Sequence, residues 1–328
     1  MTSCESKVLL FGPCGNVGRL LSKSLIRLGV GVHLAVHNTM PENDILQNGR
    51  TSVSRGVDAT DIESIAKTLC ESCPTHIVFM TPTVVGTPRM VNNFTTAVQN
   101  YEHKARIKII VWISQGDIDD FLTSNLSNYD GLGEANNNLW SSNFPTCRLE
   151  PSGFYQNFDM FYGLGELVAS GKRLFRTGIE SSTELPWVDV KDISDLATIA
   201  VSNPQKFVGK HIRMVSSRVS MTEAMITLSK ITGENYSYEQ KSMSELESEF
   251  QKKGLEATLA KDRALVFHTY HEGHFLVFQG NPETMENLLG RKPVSMEEYL
   301  RGNIDKWRNG QSSGTFVGWA GGGSDKKE

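Results

Sequence analysis

Three glycines are the residues of this chain whose spacing bears most directly on chemistry. The apolar run Lys7-Val8-Leu9-Leu10-Phe11 passes straight into Gly12-Pro13-Cys14-Gly15-Asn16-Val17-Gly18, and a helix-like pattern follows through Ile26. At a strand-to-helix turn, glycine lets backbone approach an anion closely, and the helix N-terminus offers N–H groups and the positive end of a dipole. The matching chemistry is pyrophosphate binding, with Gly12, Gly15, Asn16, Val17 and Gly18 as contacts. The spacing is G-x-x-G-x-x-G rather than G-x-G-x-x-G, so the reading rests on context: a strand before and a helix after. The plain alternative is a glycine-rich turn without a ligand.

A second group of residues bears on which nucleotide would bind. The end of the second apolar run reads Leu34-Ala35-Val36-His37-Asn38-Thr39, with no Asp or Glu. A carboxylate there would accept hydrogen bonds from a ribose diol and repel a 2′-phosphate. His37 and Asn38 can instead donate to phosphate, less strongly than a guanidinium fork, and Arg55 lies further on. The expected cofactor is NADP(H); the alternative for His37 is an exposed loop histidine. Thr81, Pro82 and Thr83 follow the strand expected at 76–80, where ligands cross the carboxyl ends of an open sheet. Asp117 offers an acid or base, or a loop cap.

The segment Pro151 to Tyr162 is dense in aromatics. Phe154, Tyr155 and Asn157 are candidates for the wall of an apolar substrate pocket, while Phe158 and Phe161 have the helical spacing of core. Trp187 packs between lobes or touches substrate. His268, His271 and His274 are spaced by three, but Gly273 weakens a helix through them. No metal site is expected there; His268 and Tyr270 read as polar contacts on a loop near a substrate mouth. Cys70 and Cys73 form a C-x-x-C with no second pair, and no redox or metal role is expected.

The elements that must position these residues alternate. Strands are expected at 7–11, 32–36, 76–80, 107–113 and 146–150. Helices are expected at 16–28, 60–71, 88–102 and 131–142, with Thr60 and Glu63 as a capping box. Such alternation with short links means a doubly wound parallel sheet. The second half carries a short strand at 188–190, a helix capped by Asp192, a strand at 211–215, a charged helix-rich stretch at 221–264 and a closing helix at 295–307. The chain is 328 residues with 39% hydrophobic and 21% charged residues and a net charge of −4. Nothing in that balance suggests nucleic acid or a membrane span. The first apolar run is too short for a signal peptide, and five unframed cysteines fit a reducing compartment, so a cytoplasmic location is expected.

Four segments in order resemble the NmrA-like proteins, atypical members of the short-chain dehydrogenase/reductase superfamily. They are the Gly12/Gly15/Gly18 turn; Gly56-Val57-Asp58-Ala59-Thr60-Asp61; Phe144 to Asn157, similar to an lPyTilRPGfFmeN element; and Pro186 to Ile193, similar to v.vrDia. Leu288 to Pro293 and the closing helix resemble the family's C-terminus. The resemblance implies an α/β fold: a Rossmann-type doubly wound parallel sheet binding NADP(H) over residues 1–153. A smaller α+β substrate lobe would cover 154–308, with some segments returning to the sheet, and 309–328 would be a flexible tail. It places Asp58 near the adenine, with local turn chemistry as the alternative. It places Ser114 and Gln115 in the catalytic-serine region, and Phe154 over the nicotinamide. The superfamily's Tyr-x-x-x-Lys pair has no counterpart: Tyr129 is followed by glycine at 133, and the helix-opening lysine slot falls near Leu132. The resemblance therefore leaves two functions open. One is an NADP(H)-dependent oxidoreductase on a bulky natural product such as an iminium, of the sort found in fungal alkaloid pathways. The other is an NADP(H)-sensing regulator that binds a protein partner.

Overall fold

The structure is a computed structural model, and the residues it describes are 7–47, 49–82, 86–114, 131–160, 162–252, 254–271 and 280–311. Seven strands make the main sheet: β1 Lys7–Phe11, β2 Gly31–Val36, β3 Thr51–Arg55, β4 His76–Met80, β5 Ile109–Ile113, β6 Thr146–Pro151 and β7 His211–Met214. They lie in the order β7-β6-β5-β4-β1-β2-β3, and every pairing is parallel. The order reverses between β1 and β4, which opens a crevice at their carboxyl ends.

The strands are apolar on both faces because helices cover both. Val8 and Leu10 face helices Asn16–Arg27 and Val190–Ser202; Leu9 and Phe11 face helices Ile62–Ser72 and Thr87–Asn100. On that second face Phe79 stacks on Phe94 at 3.9 Å, with Phe11 edge-on to both. A second core gathers Tyr155, Phe158, Phe175, Trp187, Met225, Tyr299 and Trp307. Two small sheets accompany it, one of Gly153–Phe154, Leu185–Val188 and Ser217–Val219, the other of Leu174–Thr177 and Ser237–Gln240.

The two cores are joined by buried carboxylates. Asp192 accepts from Ser216 Oγ at 2.6 Å and from the Val294 N–H at 2.8 Å, and pairs with Arg291 at 2.8 Å. Asp192 thus ties the closing segment to the sheet rather than capping its helix. The cap is Asp189, which accepts from the Lys191 N–H at 2.7 Å, and the strand before it is Leu185–Val188 rather than 188–190. Likewise Asp61, not Thr60, caps helix Ile62–Ser72 by accepting from the Glu63 N–H, while the Thr60 hydroxyl is spent on Asp58. Among the described residues no helix is long and apolar enough to cross a membrane.

Candidate functional site

The glycine turn has the geometry of an anion cradle. Gly12 has φ +70°, a conformation that glycine adopts without strain. Its carbonyl accepts from the Gly15 N–H at 3.3 Å, and Gly15 then caps helix Asn16–Arg27 in an extended conformation. A Cβ on Gly18 would sit 2.0 Å from the Gly12 carbonyl oxygen, so helix and strand touch backbone to backbone there. A Cβ on Gly15 would meet nothing nearer than that same oxygen, at 3.6 Å. The space over Gly15 is therefore open, while that under Gly18 is closed. Val17 is buried, and Asn16 opens the helix. No acidic residue lies in the helix's first turn, so the positive end of its dipole is not neutralised from within.

At the end of β2, His37 and Asn38 are exposed. The Val57 N–H donates to Val36 O at 2.9 Å, which brings the 56–58 turn alongside them. Asp58 accepts from both the hydroxyl (2.7 Å) and the N–H (2.8 Å) of Thr60. Those bonds hold its carboxyl below the usual carboxylate range. These bonds shape the turn locally, and they leave Asp58 alongside the end of β2.

The end of β4 adjoins the turn: Met80 lies under Gly12, where a Cβ would meet its side chain at 3.0 Å. Thr81 is partly exposed and Pro82 exposed, with Pro82 O accepting from the Thr87 hydroxyl at 2.7 Å. Thr83, Gln115, Asp117 and Tyr129 lie outside the described residues. Ser114 directly follows β5 and is buried, its N–H donating to Leu149 O at 2.9 Å.

Sequence reading did not foresee what holds Ser114. Its hydroxyl accepts from Arg148 Nε at 3.1 Å, and the same guanidinium lies over Trp112 at 5.0 Å. Arg148 also donates to Glu150 at 2.5 Å. Glu150 is fully buried and takes His211 Nε2 at 2.8 Å and Arg213 Nε at 3.4 Å on its other oxygen. The signal was there: Arg148 and Glu150 are two apart in a strand, hence on one face, and a buried carboxylate needs partners.

The aromatic wall is thinner than the sequence suggests. Phe154 is partly exposed, pairs with Val188 and rests on the first core. Asn157 opens the short helix Asn157–Met160 and is also partly exposed. Tyr155 and Trp187 are core residues, not wall. Tyr155 is 0% exposed, stacks on Tyr299 at 5.3 Å and bonds Ser217 Oγ at 2.6 Å. Burial pushes its phenol above the usual tyrosine range. Trp187 is 1% exposed and donates to Val219 O at 3.0 Å. His268 and Tyr270 lie on helix Ala257–His271 rather than on a loop, and their side chains are outside the described residues. Among the described residues no group of three or more His, Cys, Asp or Glu side chains is placed to hold a metal ion.

The profile of the NmrA-like family matches residues 4–300. The chain belongs to the NmrA-like family. No curated protein matches it in sequence. Among solved structures, NmrA, a negative transcriptional regulator in complex with NAD, superposes with TM-score 0.74 at 14% identity, over 93% of this chain and 97% of that one. Triphenylmethane reductase from Citrobacter sp. gives 0.73 at 16% identity over 91% and 99%. The NADPH-dependent quinone oxidoreductase of Escherichia coli gives 0.69 at 16% identity over 90% and 98%. At these identities the likeness is one of fold. Regulators and reductases alike share this Rossmann-type sheet.

Proposed function

We propose that this NmrA-like protein is an NADP(H)-dependent oxidoreductase of a bulky electrophilic substrate. The observation that carries the reading is the contrast at the turn, closed beneath Gly18 and open over Gly15. An apolar pocket would not need it; a pyrophosphate against backbone does. The residues fit the group: Gly12, Gly15, Val17 and Gly18 shape the cradle, His37 and Asn38 stand at the adenosine end, and Thr81 and Pro82 at the crossing point. When bound, the dinucleotide supplies or accepts a hydride. The reductases that share the fold act with NADPH or NADP(H), which supports this choice.

The chain's own part is orientation. Phe154 offers an apolar face at the strand ends, and Ser114 is held in place by Arg148. With leucine at 132 and glycine at 133, no cation stands in the usual slots to activate Tyr129. A substrate whose carbon is already electrophilic, such as an iminium, imine or quinone, needs little proton donation, and positioning supplies much of the rate. An alkaloid-type iminium is our preferred substrate, on the strength of the family context alone.

Substrate-dependent loss of NADPH absorbance tests the proposal, with a quinone, a triphenylmethane dye and a cyclic iminium as probes. Turnover of any of them supports the enzyme. NADPH binding with no turnover, and no deuterium transfer from 4-deuterated cofactor, supports the nucleotide-sensing regulator instead. The deuterium arm also exposes a redox-neutral cyclisation, which absorbance alone would miss.

A further inference from the structure

We propose that Arg19 is the residue that reads the 2′-phosphate, and that Glu42 occupies it beforehand as a carboxylate the phosphate displaces. The inference rests on the cofactor reading above and concerns the adenosine end of that site.

The segment after β2 folds back over the first turns of helix Asn16–Arg27 and is pinned at three places. Cys14 Sγ donates to Thr39 O at 2.8 Å. Arg19 Nη1 meets Glu42 Oε1 at 3.2 Å. Lys23 Nζ meets Glu42 Oε2 at 2.6 Å and Asp44 at 3.1 Å. Arg19 is also bonded through its own N–H to the Gly15 carbonyl at 2.9 Å. Arg19 thus stands one turn beyond Gly15, and its pair with Glu42 carries its side chain to the segment that follows β2. In this topology the seam between the Gly15 cradle and the end of β2 is where the adenosine ribose of a dinucleotide lies.

The charges at the seam cancel: two cations, Arg19 and Lys23, face two carboxylates, Glu42 and Asp44. The side chains are 30–62% exposed, so these pairs are weakly held and screened by salt. A phosphomonoester carries roughly −1.5 to −2 charge near neutral pH and matches a guanidinium fork. It is the stronger partner for Arg19. Lys23, one turn on, retains Asp44 when Glu42 is displaced. His37 and Asn38 then serve as supplementary donors on the opposite side of the ribose. This explains how a chain with neither acid nor arginine at the end of β2 selects its nucleotide.

The test is calorimetric titration of the full chain with NADPH, NADH and 2′,5′-ADP. For Arg19→Gln, NADPH and 2′,5′-ADP weaken by about tenfold, the scale of one charge-assisted contact, while NADH changes by less than about twofold. Arg19→Lys restores part of the loss. Glu42→Gln tightens NADPH several-fold and leaves NADH in place. Lys23→Gln loosens the same loop without touching the proposed contact and keeps the NADPH-to-NADH ratio within about twofold. If Arg19→Gln leaves that ratio unchanged, or Lys23→Gln shifts it equally, Arg19 only pins the loop and the assignment is overturned. A wild type that binds neither dinucleotide overturns the cofactor reading as well, so the two failures are told apart.

Discussion

Replacing Gly15 and Gly18 one at a time separates the two jobs of the glycine turn. An alanine at 18 would place its Cβ 2.0 Å from the Gly12 carbonyl oxygen and 2.8 Å from Pro13 Cα. Ordinary contact needs about 3.5 Å, so the helix must retreat from β1 by roughly 1.5 Å. Leu21 and Leu25, both fully buried on that helix, would move with it. Overpacking of this kind costs about 1–3 kcal/mol, or a melting point lower by roughly 1.5–4.5 °C in a chain of this size. At Gly15 the added Cβ meets nothing nearer than 3.6 Å, and φ −74° suits any residue. Gly15→Ala should leave the melting point within about 2 °C, because the entropy removed from the unfolded chain offsets the weaker cap. The methyl nevertheless fills the place the pyrophosphate must take, and NADPH should weaken at least about thirtyfold, or roughly 2 kcal/mol. Gly15→Val should abolish binding. Calorimetry and thermal melts on the same samples decide it. Wild-type NADPH affinity in a well-folded Gly15→Ala protein would refute the placement of the pyrophosphate over Gly15.

The remaining predictions concern charge and chemistry. Burial holds His33 and His76 neutral, pushing each from 6.5 down to about 4. The unfolded chain then binds more protons than the folded one between pH 6.5 and 4. Stability is therefore full above pH 6.5 and falls as pH drops through that window, by up to about 2 kcal/mol per histidine at pH 5. Urea titrations flat from pH 7.5 to 5 would count against it. His37→Asp should repel a 2′-phosphate and move preference from NADPH towards NADH, and a wild type that already prefers NADH would contradict this reading of β2. Glu150→Gln strips Arg148, His211 and Arg213 of their common carboxylate and should cost about 2–4 kcal/mol in urea unfolding, since two of the three partners are about one-third exposed. A loss under about 1 kcal/mol would show the network to be incidental. Tyr129→Phe should keep single-turnover rates within about tenfold, while Phe154→Ala should lose more; the reverse order would restore tyrosine as the acid.

The central strands and the turn were legible in the sequence because a single physical requirement dominates each of them. Strands buried on both faces read as unbroken apolar runs, and Val8 to Phe11 or His76 to Met80 permit no other assignment. β3 was not legible. Thr51-Ser52-Val53-Ser54-Arg55 is an edge strand with small polar residues, and its serine hydroxyls make sense only once His33 stands between Ser52 and Ser54, at 2.8 Å from each. The helix caps slipped for a related reason. Asp58, Thr60 and Asp61 are all capping types, and only the observed bonds of Thr60 to Asp58 show that Thr60 is already engaged. Asp189 and Asp192 pose the same ambiguity, resolved by Ser216, Val294 and Arg291 from distant parts of the chain. Composition made Tyr155 and Trp187 attractive as pocket wall. Spacing could not show that a second core, closed by Tyr299 and Trp307, lay waiting for them.

That second core also fixes the strand that carries Phe154. A Cβ on Gly153 would meet the Trp187 ring at 3.0 Å, so the indole lies directly against strand Gly153–Phe154. Side chains alternate along a strand, and Phe154 therefore points away from the indole, towards the first core on which it rests. Trp187 is in turn fixed by its bond to Val219 O and by Phe158 at 4.9 Å. The indole thus sets how high Phe154 stands above the strand ends without meeting any ligand itself. The glycine at 153 is what permits that approach, because a side chain there would lift the strand off the ring. Close approach of backbone thus recurs at two places, Gly18 against Gly12 and Gly153 against the Trp187 ring. Under the proposed function, the absence of a tyrosine–lysine pair is tolerable in such a design, because precision of placement is what an already electrophilic substrate requires.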